Sequence, residues 1–110
     1  MTKKLTKRDL TNYRKTIGTA WVMTDGNDAL VRTFTFPHFV DAFMFITRVG
    51  IHAEVMQQYP HIVLDHRAVT LTLHDAHLKT LTKDNFELAE KIDIIFALST
   101  KHGPARIPAA

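Results

Sequence analysis

The chain contains no cysteine among its 110 residues, which excludes disulfides, thiolate metal sites and thiol nucleophiles together. It also lacks any apolar run approaching the ~18 residues that a membrane-spanning helix requires, so no membrane partner is expected. The opening residues Met1-Thr2-Lys3-Lys4-Leu5 lead into Thr6-Lys7-Arg8-Asp9 rather than into an apolar signal core, and the expected location is cytoplasmic. A Gly-rich phosphate loop, a nucleic-acid motif, internal repeats and low-complexity blocks are absent as well.

What the sequence does have is an ordinary globular balance, 45% hydrophobic and 23% charged residues, at a length that supports one core. The expected organisation is one domain over residues 1–102 and a loose tail over 103–110, marked by Gly103, Pro104 and Pro108. Net charge is +3, with the excess around Lys3, Lys4, Lys7, Arg8, Arg14 and Lys15. This reads as a solvated basic helix face rather than a nucleic-acid footprint.

Thr6 with Asp9 three residues on forms a weak capping box for a first helix carrying Leu10, Tyr13 and Ile17 on one face, ended by Gly18. Trp21 to Thr24 is a strand candidate. Asp25-Gly26-Asn27 then turns the chain into Ala29 to Phe36, where Leu30, Arg32, Phe34 and Phe36 share one side. Pro37 suits the first turn of a second helix running to about Gln57, with Phe39, Phe43, Ile46, Val49 and Ala53 as its apolar stripe. Phe45 and Ile51 lie off that stripe, and Gly50 suggests close approach of another helix. Tyr59-Pro60 breaks the helix. Ile62-Val63-Leu64 and Val69 to Leu73 follow as strands, joined by His66-Arg67, with Val69, Leu71 and Leu73 inward. After a loop from His74 to Thr80, Thr82 caps a last helix whose face is Phe86, Ala89, Ile92, Ile95, Phe96 and Ser99. The order α-β-β-α-β-β-α predicts an α+β two-layer sandwich: a four-stranded antiparallel sheet with helices on one face.

That order, together with Trp21, Asp28-Ala29-Leu30, the aromatic-rich run from Phe34 to Glu54, Pro60, Val69-Thr70-Leu71-Thr72-Leu73 and Leu81-Thr82, resembles the pterin-4a-carbinolamine dehydratase (4a-hydroxytetrahydrobiopterin dehydratase) family from about Trp21 to Phe96. The resemblance implies a hydro-lyase whose histidines, titrating near neutral pH, move the protons of the dehydration. Carried over residue by residue, the family's acidic position is Glu54 and its proline is Pro60. The paired histidines fall on Gln58 and Tyr59. A gapless reading places the third histidine on Ala76, flanked by His74 and His77, and the family's Asp at the start of the last helix falls on Asn85 beside Asp84.

Gln58 cannot exchange a proton, and a tyrosine with an ordinary pKa near 10 titrates far from neutrality. Loss of each general acid or base costs about 10²- to 10⁴-fold. The family site is therefore expected to be degenerate, with no catalytic residue and no cofactor, and His61, His74 and His77 stand as the substitutes that an active enzyme would use. His61, His66, His74 and His77 also invite a zinc reading, but they have no ligand spacing that singles one out, and no metal is expected. Met23, Met44 and Met56 suit core filling or an adaptable surface.

The resemblance further implies a homodimer. Its nearest branch is the α-carboxysome one, whose members are implied to be RuBisCO assembly factors. The expectation is a non-catalytic, chaperone-like protein with a protein client such as RuBisCO, cytoplasmic or associated with the carboxysome. The alternatives are an active dehydratase recycling pterin and a dimerisation or transcriptional cofactor.

Overall fold

A computed structural model of the chain describes residues 5–75 and 77–101. Ala76 and the tail expected from residue 103 lie outside the described residues. Three helices, α1 (Lys7–Arg14), α2 (Phe39–Met56) and α3 (Lys83–Lys101), accompany four strands, β1 (Val22–Met23), β2 (Leu30–Thr35), β3 (His61–Asp65) and β4 (Ala68–Leu73). The strands form one sheet in the order β1-β2-β4-β3, and every neighbouring pair is antiparallel. The predicted class and element order are both observed.

Alternation along the central strands puts one face of the sheet under the helices. Leu30 and Phe34 of β2 and Val69, Leu71 and Leu73 of β4 are buried, and register pairs Leu30 with Leu73 and Phe34 with Val69. The opposite face carries Thr33 and Thr70, whose hydroxyls meet at 2.9 Å across the strands. The first strand is shorter than expected. Its neighbour Trp21 leaves the ladder to bury its indole, and Arg14 holds the bend by donating to the carbonyls of Gly18, Thr19 and Trp21.

The face of α2 is the main correction. Phe39 and Phe43 are about half exposed, whereas Phe45 is buried with Ala42, Val49 and Ala53. The helix is apolar on most of its sides, so spacing alone admits more than one stripe. The aromatic pair on β2 selects among them, because Phe45 sits 4.8 Å from Phe34 and 5.0 Å from Phe36 between ring centroids. Pro37 also stands outside the helix, whose N-cap is His38. Among the described residues nothing approaches within 4 Å of a Cβ built on Gly50, so none of their helices packs closely there.

One charge pair lies among the apolar layers. Arg32 points to the helix side of β2 with its guanidinium 4.4 Å from the centroid of Phe34 and 5.2 Å from that of Phe96, a cation–π arrangement that offsets part of the lost hydration. Asp93 of α3 meets it at 2.8 Å. The same carboxylate accepts from the Trp21 indole and from the Gly18 backbone, both at 2.7 Å. A Cβ on Gly18 would stand 3.2 Å from both partners of the pair, so glycine there lets them approach without displacement.

Candidate functional site

The site residues are positioned by two helix ends that face each other, the C-terminus of α2 and the N-terminus of α3. Helix α2 stops at Met56 because Gln57 turns left-handed, at φ 54° and ψ 39°. Its N–H then donates back to Glu54 at 3.2 Å, and the N–H of Gln58 donates to Ala53 at 3.0 Å. This pair of reversed bonds is a Schellman closure. Glycine usually fills the left-handed position, and a side chain there costs about 1 kcal/mol. The closure redirects Gln58 toward α3, and Pro60 prevents the helix from resuming.

At the other end, Thr82 and Asn85 are buried, at 0% and 1% exposure. The Thr82 backbone N–H donates to Asn85 Oδ1 at 3.0 Å, and the Thr82 hydroxyl donates to the same oxygen at 3.2 Å. The third residue of the helix thus satisfies the backbone donor of the N-cap residue with its side chain, one of the two bonds of a capping box. Asn85 Nδ2 in turn donates to Gln58 Oε1 at 3.1 Å. A continuous chain of hydrogen bonds thus runs from a helix N-terminus to the half-buried side chain of Gln58.

Glu54 and Tyr59 form a second, exposed pair beside it. The Tyr59 phenol is hydrogen-bonded to the Glu54 carboxylate, and its pKa is raised above the ordinary 10.0. The causes are first that bond, then lost hydration, then the negative charge of Glu54. A phenol held protonated in this way is moved further from neutral-pH proton exchange.

The candidate substitutes do not join this network. His61 opens β3, in register with Thr72, and is exposed. His74 follows directly on the last residue of β4, and His77 lies in the succeeding loop, both exposed. Asp75 organises that loop, its carboxylate accepting from the backbone of His77 at 2.9 Å and of Leu78 at 2.8 Å. Among the described residues no hydrogen bond links these histidines to Gln58 or Asn85, and no three His, Asp or Glu side chains converge as a metal site would require. Sequence reasoning placed Thr82 and Asn85 correctly at the helix start but missed the bond to Gln58. The available signal was the Thr-x-x-Asn spacing, which repeats the Thr6-x-x-Asp9 box.

A sequence model of the family described as pterin 4 alpha carbinolamine dehydratase matches residues 3–95. The chain belongs to that family. A Bradyrhizobium sp. BTAi1 protein provisionally named pterin-4-alpha-carbinolamine dehydratase is 43% identical over 79 residues, covering 70% of this chain and 78% of its own length. A Burkholderia ambifaria protein with the same provisional name is 38% identical over 79 residues, covering 70% and 76%. Among solved structures, the transcriptional coactivator/pterin dehydratase from Brucella melitensis superposes with a TM-score of 0.78 at 25% identity, over 84% of this chain and 98% of that one. A pterin dehydratase-like protein identified as a RuBisCO assembly factor in the alpha-carboxysome superposes at 0.61 with 19% identity, over 72% and 95%. At that identity the likeness is one of fold.

Proposed function

We propose that this member of the dehydratase family does not dehydrate 4a-hydroxytetrahydropterin and acts instead by binding, with a protein as its principal partner. The observation that supports the reading is the Gln58 amide held by buried Asn85, at the position onto which the family resemblance carries the first of the paired histidines. An amide cannot donate a proton to a leaving hydroxyl and recover it at neutral pH. The neighbouring Tyr59, hydrogen-bonded to Glu54, is pushed away from that range. The test is turnover of 4a-hydroxytetrahydropterin by the purified protein beside a Gln58→His, Tyr59→His variant. The parent is expected at the uncatalysed rate and the variant above it. Turnover by the parent at an enzymatic rate overturns the proposal.

The binding half of the reading draws support from α2. Phe39, Phe43, Met44, Ile51 and Val55 expose between 41% and 79% of their surface, and large apolar side chains left exposed along one helix are a feature of interaction sites. Homodimer formation is one use of such a face, and light scattering would then give about twice the 12.5 kDa chain mass. The client favoured here is RuBisCO, through the fold shared with the alpha-carboxysome assembly factor. Co-purification of RuBisCO with the tagged protein supports this, and its absence from a host that expresses both removes it.

The competing reading is an active dehydratase, favoured by the provisional names of relatives about 40% identical. It assigns proton transfer to His61, His74 or His77, and the same turnover assay decides it. A dimerisation or transcriptional cofactor, after the coactivator of like fold, requires association with a DNA-binding protein.

A further inference from the structure

Helices α2 and α3 run antiparallel, so that Gln58 meets Asn85 at one end of the pair while Arg48 meets Ser99 ten residues back along α2, about 15 Å up the axis. Toward the Arg48 end the two helices leave a cleft of about 290 Å³, lined by Arg48, Ile51 and His52 of α2 and by Ile95 and Leu98 of α3. Its walls Ile51 and Leu98 keep 60% and 49% of their surface exposed, so the cleft is open. An open cleft at the lower limit of the ~300–1,000 Å³ usual for small-molecule pockets suits one or two inserted side chains of a larger partner, the arrangement that concentrates binding energy in a protein interface.

The charge of the cleft is one-sided. Arg48 Nη1 donates to Ser99 Oγ at 3.2 Å, and that hydroxyl donates to the Ile95 carbonyl at 2.8 Å. Ser99 thereby ties the guanidinium to α3 beside the apolar walls, and among the described residues no other group accepts from it. The ion pairs of the described residues, Arg32 with Asp93 and Lys83 with Glu87, involve neither Arg48 nor His52. A guanidinium only donates, from a planar fork that matches a carboxylate.

We propose that this cleft seats an amphipathic helix of a protein partner, with aliphatic side chains inserted between α2 and α3 and an aspartate or glutamate on Arg48. The proposal rests on the binding half of the proposed function and adds the surface and the partner's chemistry. A groove between two helices takes a third through anchors at i, i+3 or i+4 and i+7, and Ile51, Ile95 and Leu98 receive them here. Burial of the anchors supplies the affinity. The charges select the sign of the partner, since exposed ion pairs contribute little by themselves.

The cleft is separate from the aromatic side of α2. Phe39 and Arg48 are nine residues apart, as are Phe43 and His52, which is about two and a half turns and sets them on opposite sides of the helix. Self-association through Phe39 and Phe43 leaves the cleft free for a different partner.

The test is fluorescence anisotropy of the full chain with three fluorescein-labelled, hydrocarbon-stapled helices that share leucines at i, i+3 and i+7 and carry glutamate, glutamine or lysine at the flanking positions. The glutamate helix is expected to bind roughly tenfold more tightly than the glutamine helix, with the lysine helix weakest and the differences shrinking in high salt. Arg48→Glu should reverse the order of the glutamate and lysine helices. Leu98→Glu should abolish binding of the glutamate helix, whereas Phe43→Ser should lower the dimer fraction with no loss of helix affinity. Equal binding of the three helices by the wild type, or binding of none, overturns the proposal, and this comparison needs no variant to fold. A loss in Phe43→Ser as large as in Leu98→Glu moves the site to the aromatic side and overturns it too. Binding of dodecanoate without binding of the glutamate helix makes the cleft a small-amphiphile site, and loss of helix binding at concentrations where light scattering shows the dimer gives it to a second copy; either result overturns the proposal. Turnover of the carbinolamine by the parent would overturn the non-catalytic reading and leave the anisotropy unchanged, so the two failures are distinguishable.

Discussion

Helices α1 and α3 begin with the same residue spacing and one shared capping bond, at different depths. Thr6 accepts from the Asp9 backbone at 3.1 Å, and the Asp9 carboxylate accepts from the Thr6 backbone at 3.1 Å, on an exposed surface. Thr82 and Asn85 use the same spacing in the interior, again with the third helical residue accepting from the cap backbone. On the surface a carboxylate suits the task, since its charge favours the helix N-terminus. In the interior that charge would lose its hydration. The amide keeps the acceptor, drops the charge and gains a donor, and the donor needs a partner. Gln58 supplies it at 3.1 Å. A capping motif thus becomes a positioning element when it is buried with an amide in place of an acid.

The contrast can be broken most severely at Asn85. Asn85→Ala removes the cap acceptor and strands buried Thr82 and half-buried Gln58, and is expected to cost about 2–3 kcal/mol in chemical denaturation. Thr6→Ala breaks the exposed cap bond from the Asp9 backbone, where water replaces the partner, and should cost about 1 kcal/mol or less. A loss at Thr6 as large as that at Asn85 would show that burial is not what separates the two. Asp9→Asn keeps the exposed acceptor and removes only its charge, so about 0.5 kcal/mol is expected, diminishing with added salt.

The smallest expected effect is at the exposed neighbour of the buried pair. The Tyr59 phenol, followed by ultraviolet absorbance, should titrate above its ordinary 10.0, because Glu54 accepts from the protonated form and repels the phenolate. Glu54→Gln removes the charge and the stronger acceptor, so the midpoint should fall toward the ordinary value. An unchanged midpoint would remove Glu54 as the cause.

The class and order of the elements were legible because the strands alternate strictly and the breaks are chemically marked. Val69, Leu71 and Leu73 point inward as the period of two requires, and Tyr59-Pro60 separates helix from strand. The inward face of α2 was not legible. With apolar residues on most sides of the helix, periodicity chooses no single stripe, and the choice falls to contacts of Phe45 with Phe34 and Phe36, which are distant in sequence. The site was legible by half. Glu54, Gln58, Tyr59 and Asn85 could each be singled out along the chain, but the pairing of Gln58 with Asn85 spans 27 residues and depends on the left-handed turn at Gln57. That turn is hard to foresee at a residue with a side chain.

The Asp93 carboxylate has a consequence for the order in which the molecule opens. Helix α1 contributes no fully buried residue, so its attachment relies on partly buried Leu10 and Tyr13, the latter stacked on Phe86, and, just beyond it, on Ile17, Trp21 and the three donors that Asp93 gathers from Gly18, Trp21 and Arg32. The N-terminal arm can therefore detach as a cooperative unit while β2 and β4 remain paired, at a lower free energy than global unfolding. The Gly18 amide, bonded to a side chain 75 residues away, is the natural reporter of that first opening, since its hydrogen exchange measures the arm rather than the sheet.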